Sequence, residues 1–165
     1  MARSVFYSFH YENDIFRVNQ VRNRWVTYGN QIQSGIIDHA EFEKIKRTGK
    51  KAVENWIDSQ LDGTSATIVL IGAETLYREY VQYEICKSLH KNNAIIGVYI
   101  NNLSDIKGMV CSPCNRHTVI GYYSSGKPAY FDEVADAIYD YRIDNGYENL
   151  DKWVERAIII KNARL

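Results

Sequence analysis

Apolar residues follow two patterns along this chain. Short unbroken runs of them are typical of strands that are buried on both faces of a sheet, and they predict strands over residues 5–9, 35–38, 67–72 and 95–100. Elsewhere apolar residues recur every three or four positions, as on one face of a helix, which predicts helices over residues 15–28, 50–61 and 75–91. Residues 42–49 are charged and are expected to be irregular or briefly helical.

Strands and helices therefore alternate through the first hundred residues. Such alternation is typical of right-handed β-α-β connections, which place neighbouring strands parallel in one sheet. We expect an α/β fold with helices on both faces of a sheet of strand order 2-1-3-4, and with a possible fifth strand at its edge.

The pattern weakens after residue 101. It indicates a loop over residues 102–116, short strands over 118–123 and 129–131, a helix over 132–141 and a closing helix that includes residues 150–161. We expect a single domain over residues 1–165, in which residues 1–101 form the core and residues 102–165 a more variable C-terminal part.

Composition narrows the possible partners. The chain has 20 basic and 20 acidic residues, and no basic stripe interleaved with aromatic residues is visible. Binding to nucleic acid by bulk charge is therefore not expected. No segment has the length and apolar character of a membrane span or a signal peptide, and an odd number of cysteines gives no disulfide framework. We expect a cytoplasmic protein.

Several common nucleotide-binding and catalytic motifs are missing. The sequence has neither Gly-x-x-x-x-Gly-Lys-Ser/Thr, nor Gly-x-Gly-x-x-Gly after the first strand, nor Gly-x-Ser-x-Gly. A phosphate-accepting receiver domain would need aspartates after strands one and three, where this chain has residues 8–10 (SFH) and 72–74 (GAE).

The three cysteines raise the question of a metal site. Cys111 and Cys114 have the spacing of a zinc knuckle with His117 nearby, and Cys86 precedes His90 by one helical turn. A tetrahedral site needs four converging ligands, and one Cys-x-x-Cys pair in a loop is a weak signal. We expect no metal site and leave open whether these cysteines have any role.

Glu84 is the most informative single residue. Helical spacing predicts that one stripe of its helix faces the core and that a second, polar and aromatic stripe lies beside it. The inward stripe consists of Val81, Ile85, Ser88 and Leu89, and the second stripe of Tyr77, Tyr80 and Glu84. The helix follows a buried strand, and open α/β sheets bind ligands beyond the carboxyl ends of their strands. Glu84 is therefore a candidate site residue, and a solvated helix glutamate is the alternative.

Other polar candidates lie near the same end of the sheet. His10 and Asp14 follow the first strand, and Arg17 and Arg78 could bind a phosphate group through two hydrogen bonds each. A histidine with ordinary hydrogen bonds and solvated arginines are the alternatives.

Several segments resemble one known family. These are residues 4–11 (SVFYSFHY) with Asp14, Arg17, Asn23 and Trp25, then residues 63–65 (GTS), 68–72 (IVLIG), 78–85 (REYVQYEI), 87–88 (KS) and 95–97 (IIG). In this combination and order they resemble the TIR-like proteins of bacterial Thoeris antiphage systems, the ThsB family. Tyr80 stands where TIR enzymes that cleave NAD usually have a tryptophan.

The resemblance implies a flavodoxin-like TIR fold and an enzyme for which NAD is the substrate, with no bound cofactor. It implies that Glu84 is catalytic and that infection switches on production of a cyclic or conjugated ADP-ribose. This diffusible messenger would activate a ThsA-type effector. A phage-derived trigger, and a homo-oligomer as the active form, are also implied.

The same resemblance gives roles to the residues around Glu84. Phe9, Tyr80 or Tyr83 would stack on a ring of NAD, and the backbone of residues 8–11 with Arg17 or Arg78 would hold the pyrophosphate. The full set of expected substrate-binding residues is Ser8, Phe9, His10, Tyr11, Asp14, Arg17, Arg78, Tyr80 and Tyr83. Two alternatives remain: a TIR scaffold that only binds partners, through aromatic residues such as Tyr122 and Tyr123, or a sensor that binds a nucleotide without turnover.

Overall fold

The computed structural model describes residues 3–27, 32–34 and 39–165. Within them, five parallel strands form one sheet in the order β2-β1-β3-β4-β7, and two antiparallel strands form a separate hairpin. The strands of the large sheet are β1 (Arg3–Ser8), β2 (Ile32–Ser34), β3 (Ala66–Ile71), β4 (Ala94–Tyr99) and β7 (Ala137–Asp140). The hairpin consists of β5 (Val119–Tyr122) and β6 (Pro128–Tyr130). The predicted α/β class and strand order are confirmed, including the fifth strand at the edge.

Helices cover both faces of the large sheet. Their bounds are α1 (Tyr11–Thr27), α2 (His39–Thr48), α3 (Lys50–Leu61), α4 (Glu79–His90), α5 (Phe131–Val134) and α6 (Gly146–Arg164). Helices α1 and α6 pack on one face through residues such as Val18 and Trp153, and α3 and α4 pack on the other through residues such as Ile57 and Ile85. Strands β3 and β4 are buried along their whole length, as the unbroken apolar runs predicted.

The helix predicted over residues 75–91 is interrupted. Residues Thr75–Tyr77 form one 3-10 turn, Arg78 has an extended backbone with φ −81° and ψ 132°, and α4 begins at Glu79. The Thr75 hydroxyl accepts a hydrogen bond from the backbone N–H of Gly72 at 2.7 Å, which closes the turn directly after β3. The interruption separates Tyr77 from the stripe predicted for it, and Tyr77 is exposed.

The predicted helix over residues 132–141 is wrong. Helix α5 ends at Val134, and β7 then pairs in parallel with β4. Successive β7 side chains lie on opposite faces of the sheet. Ile138 packs with residues on the α4 side, and Tyr139 packs with residues on the α6 side. The Asp136 carboxylate accepts a hydrogen bond from the backbone N–H of Ile95 at 2.8 Å, which fixes the start of β7 against β4.

Three smaller comparisons complete the fold. The predicted strand over residues 35–38 lies outside the described residues, and β2 occupies residues just before it. The charged stretch expected to be irregular or briefly helical is the ten-residue helix α2. No helix in the described part of the chain is long and apolar enough to cross a membrane.

Candidate active site

A cavity of about 220 Å³ opens at the carboxyl end of β1. The loop into α1, the helix α2 and the first turns of α4 form its walls. Its lining residues are Tyr7, Phe9, His10, Tyr11, Glu12, Glu43, Lys46, Arg78, Glu79, Tyr80, Val81 and Glu84. The cavity therefore lies where the sequence placed a ligand site, beside the Glu84 helix.

Glu84 lines this cavity from the second turn of α4. Its residue is only 8% exposed, and the hydroxyl of the fully buried Ser8 donates a hydrogen bond to its Oε2 atom. Ser8 is the last residue of β1, and α4 packs across the sheet above it. The predicted inward stripe is confirmed for Val81, Ile85 and Ser88, which are buried.

Burial also controls the charge of Glu84. Loss of solvent raises the pKa of this carboxyl group to about 8, and the hydrogen bond from Ser8 opposes that rise. The group is therefore largely protonated at neutral pH. A ligand that brings a positive charge close to it would favour the carboxylate, because an opposite charge lowers the pKa of an acid.

Aromatic side chains line the cavity from the loop into α1 and from α4. The rings of Phe9 and Tyr11 lie with their centroids 6.2 Å apart and tilted by 34°, and Tyr80 lines the cavity from α4. Flat apolar rings beside a carboxyl group suit a ligand that has a planar ring attached to a sugar.

Among the residues that the structure describes, no hydrogen-bond partner is found for two buried nitrogen atoms beside the cavity. These are Nδ1 of His10 and Nε of Arg78. The Nη2 atom of Arg78 lies 3.1 Å from a carboxylate oxygen of Glu74, so the guanidinium group is held in place at one end. Burial, and then the charge of Arg78, lower the pKa of His10, which is therefore neutral at pH 7. An anionic group of a ligand could bind here.

The residues contributed by α2 were not predicted from the sequence. Glu43 and Lys46 line the cavity from this helix, in a stretch that was expected to be irregular or briefly helical. The adjoining helix α3 is tied to the start of α4 by an ion pair of 2.8 Å between Lys50 and Glu79. The acidic Glu12 also lines the cavity and was missed. No motif in the sequence distinguishes these charged side chains from solvated ones.

Four of the expected binding residues, Ser8, Asp14, Arg17 and Tyr83, do not line the cavity. The Ser8 hydroxyl donates to Glu84 instead. Arg17 is buried and donates to the carbonyl oxygens of Leu103 at 2.8 Å and Met109 at 2.9 Å. The buried Asp14 accepts a hydrogen bond from Thr75 at 3.3 Å, and Tyr83 donates to Asp58 at 3.0 Å. Contacts within the fold thus engage the polar groups of Arg17, Asp14 and Tyr83, and a direct contact of these residues with a substrate stays a prediction.

The cysteines are reduced and lie apart from the cavity lining. Cys86, Cys111 and Cys114 are all free, and the thiol of Cys86 lies 3.5 Å from the carbonyl oxygen of Ile120. Burial raises the pKa of Cys86, which disfavours the reactive thiolate. Among the residues described by the structure, no group of three or more His, Cys, Asp or Glu side chains is arranged to hold a metal ion.

The parallel sheet, its helices and a buried glutamate beside the first strand define a TIR-like domain of the flavodoxin-like class. Residues 6–105 match the family described as "Thoeris protein ThsB, TIR-like domain". The chain belongs to this family, as its sequence motifs indicated. A relative from Bacillus cereus (strain MSX-D12), named "Putative cyclic ADP-D-ribose synthase ThsB1", is 37% identical, and the alignment covers 93% of this chain and 100% of the relative.

Proposed function

We propose that this protein cleaves the bond between nicotinamide and ribose in NAD and converts the ADP-ribose into a cyclic or conjugated signal. The observation that carries the proposal is the buried Glu84 carboxyl group, which lines a cavity beside aromatic side chains. The name of the Bacillus cereus relative supports a cyclic ADP-ribose product.

The first chemical step needs little proton transfer. When the bond between the ribose anomeric carbon and the ring nitrogen breaks, both electrons go to the nicotinamide, which leaves as a neutral molecule. Positive charge develops on the ribose as an oxocarbenium ion. The Glu84 carboxylate would stabilise that charge and accept hydrogen bonds from the ribose hydroxyls, because a preorganised negative group in a water-poor site is most effective where charge develops.

The second step determines the product. A hydroxyl group or an adenine nitrogen of the same ADP-ribose would attack the anomeric carbon, and the ring would close with loss of any proton that the attacking atom carries. Attack by water would give ADP-ribose and one proton instead. Exclusion of water from the cavity would favour the cyclic product.

The cavity dimensions suggest how NAD would lie. About 220 Å³ is less than the 300–1,000 Å³ typical of pockets that enclose a drug-sized ligand. The nicotinamide and its ribose would occupy the cavity against Phe9 and Tyr80. The pyrophosphate would lie near its mouth, within reach of Arg78, His10 and the backbone of residues 8–11.

The proposal extends to the surrounding system. The product would act as a diffusible messenger that activates a ThsA-type effector after a phage-derived trigger is sensed. The active form would be a homo-oligomer, and the chain would work in the cytoplasm. These statements rest on membership of the ThsB family.

Nicotinamide release tests the reaction directly. Activated wild-type protein, Glu84→Gln and the control Glu133→Gln would be incubated with NAD, and nicotinamide would be measured over time. Glu133 is exposed on α5 and does not line the cavity. We expect at least a 100-fold loss of rate for Glu84→Gln and no loss for the control. Equal rates for wild type and Glu84→Gln would remove Glu84 from the mechanism.

A scaffold without catalysis is the second candidate. It is favoured by the exposed side chains of Tyr122 and Tyr123 on the β5–β6 hairpin, which are 74% and 51% exposed, since exposed aromatic residues often anchor protein interfaces. Under this alternative Tyr122→Ala would abolish defence while Glu84→Gln would not. The enzyme proposal expects the reverse.

A further inference from the structure

Ser8 lies on a strand that has neighbours on both sides in the large sheet. It is the last residue of β1 and pairs with Val69 of β3 in the middle of the sheet. Its side chain is fully buried, and its hydroxyl donates to Oε2 of Glu84. The sheet therefore fixes the position of this donor before any ligand binds.

The backbone of Glu84 is tied to the same sheet by a second set of hydroxyl groups. Ser88 donates a hydrogen bond of 2.7 Å to the carbonyl oxygen of Glu84. The Ser88 hydroxyl lies 2.6 Å from the hydroxyl of Thr67 on β3. The helix position of Glu84 is thus held by β3, and the direction of its carboxyl group by β1.

One carboxyl oxygen is left for a ligand. Within the part of the chain that the structure describes, the hydrogen bond from Ser8 engages Oε2 and no hydrogen bond to Oε1 is found. The cavity lining includes Glu84 itself. A ligand in the cavity would therefore meet a carboxyl group whose rotation is already restricted.

We propose that Ser8 is the positioning residue of this site: its hydroxyl holds Oε2 of Glu84 and directs Oε1 towards the ribose of the substrate. This inference rests on the function proposed above and adds a role that differs from the direct contact with NAD expected for Ser8 from the sequence. A group fixed before the reaction stabilises developing charge without reorganising, which is where most electrostatic catalysis comes from.

The hydrogen bond has a second, measurable effect on the charge of Glu84. Burial raises the pKa of this group and the Ser8 hydroxyl lowers it, because a donor stabilises the carboxylate more than the acid. Among the described residues, the other charged or titratable side chains that line the cavity are Tyr7, His10, Tyr11, Glu12, Glu43, Lys46, Arg78, Glu79 and Tyr80. Ser8→Ala leaves all of them in place and removes only the donor.

The test combines Ser8→Ala, the donor-retaining Ser8→Thr and the control Ser4→Ala. Ser4 lies on the same strand and does not line the cavity. In Ser8→Ala, the pH at which kcat/KM for NAD is half-maximal should rise by about 1 to 2 units, since a hydrogen bond to a charged group contributes that much. The rate at pH 7 should fall about 10- to 100-fold, and Ser8→Thr should restore most of it. The Ser4→Ala profile should match wild type.

A second readout does not depend on activity. In full-length protein labelled with carbon-13 at glutamate side chains, the Glu84 carboxyl signal is the one lost in Glu84→Gln. Its titration midpoint should be near 8 in wild type and higher in Ser8→Ala. Equal midpoints in folded wild type and Ser8→Ala would overturn the role of Ser8. A shifted midpoint in a protein that never releases nicotinamide after activation would instead overturn the proposed function.

Discussion

The carboxyl group of Glu84 lies where burial opposes the charge that the proposed reaction needs. Its pKa of about 8 means that the carboxyl group is mostly the neutral acid at pH 7. Binding of the positively charged nicotinamide ring would favour ionisation in the complex. Under the proposed function, the residue would be neutral before substrate binds and would become charged in the complex.

This arrangement predicts a pH-dependent stability difference. The pKa of Glu84 is about 8 in the folded chain, above its ordinary value of 4.5, so the folded state holds this proton more tightly than the unfolded state does. Below pH 4.5 this group does not lower the free energy of unfolding of the wild-type protein. As pH rises from 4.5 towards 8, the free energy of unfolding falls, by at most about 5 kcal/mol. Glu84→Gln cannot ionise and escapes this loss.

Urea unfolding at pH 5 and pH 8.5 measures the effect. We expect the free energy of unfolding of Glu84→Gln, relative to wild type, to be higher at pH 8.5 than at pH 5. The exposed control Glu133→Gln should give the same difference from wild type at both pH values. A pH-independent difference for Glu84→Gln would show that the buried carboxyl group is not protonated near neutrality.

Two arginines near the site should respond differently to removal. Arg78 lines the cavity, and its buried Nε atom has no hydrogen-bond partner within the described part of the chain, so Arg78→Ala should raise KM for NAD about tenfold with little change in stability. Arg17 is buried and bound to two loop carbonyl oxygens and to Asp14. Arg17→Ala should lower the free energy of unfolding by about 2 to 4 kcal/mol. Steady-state kinetics and chemical unfolding of both variants would check this; the reverse pattern would contradict the placement of Arg17.

Prediction from sequence was most successful where a residue's surroundings come from its own helix. Glu84 could be placed because Val81, Ile85 and Ser88 mark the buried stripe next to it. Arg17 could not be placed, because its partners Leu103 and Met109 lie far along the chain in a loop without periodic pattern. A side chain whose contacts are distant in sequence leaves no local signal.

At the scale of elements, the short connection between β3 and α4 decides where Glu84 lies. The 3-10 turn of Thr75–Tyr77 and the extended Arg78 reset the direction of the chain before α4 begins. Sequence spacing alone gave one continuous helix, because the residues of the turn have ordinary helical character. The backbone N–H of Gly72 donates a hydrogen bond to the Thr75 hydroxyl, and the spacing of apolar residues gives no sign of this contact.

Gly72 should tolerate no side chain at this connection. An added Cβ would overlap the carboxyl group of Asp14, so Gly72→Ala should lower the free energy of unfolding by about 2 kcal/mol. The cost should shrink in an Asp14→Ala background, where the overlapping group is gone. Thermal unfolding of the single and double variants measures this coupling. Additive effects would contradict the close approach of Gly72 and Asp14.

Strand β7 lies within a stretch, residues 132–141, for which the sequence predicts a helix. Its four residues nevertheless form a strand. The edge of the sheet is completed by pairing with β4 and by the Asp136 side chain. Short edge strands gain their stability from such partners rather than from their own sequence.

At the scale of the whole molecule, the cavity encloses too little volume for a complete dinucleotide. If NAD is the substrate, part of it would extend beyond the cavity, and in the proposed homo-oligomer a second copy of the chain would cover that part. Nicotinamide release per chain should therefore rise steeply with protein concentration, in parallel with oligomer formation measured by light scattering. A rate per chain that stays constant over a hundredfold dilution would contradict an oligomeric active form.

The most direct test of the central claim is mass spectrometry of small molecules from phage-infected cells. Cells carrying the wild-type chain should accumulate nicotinamide and a cyclic or conjugated ADP-ribose that activates a ThsA-type effector, while cells carrying Glu84→Gln at the same protein level should accumulate neither. Equal amounts of the product in both would contradict catalysis by Glu84. Defence by wild type without any product derived from NAD would contradict the reaction itself.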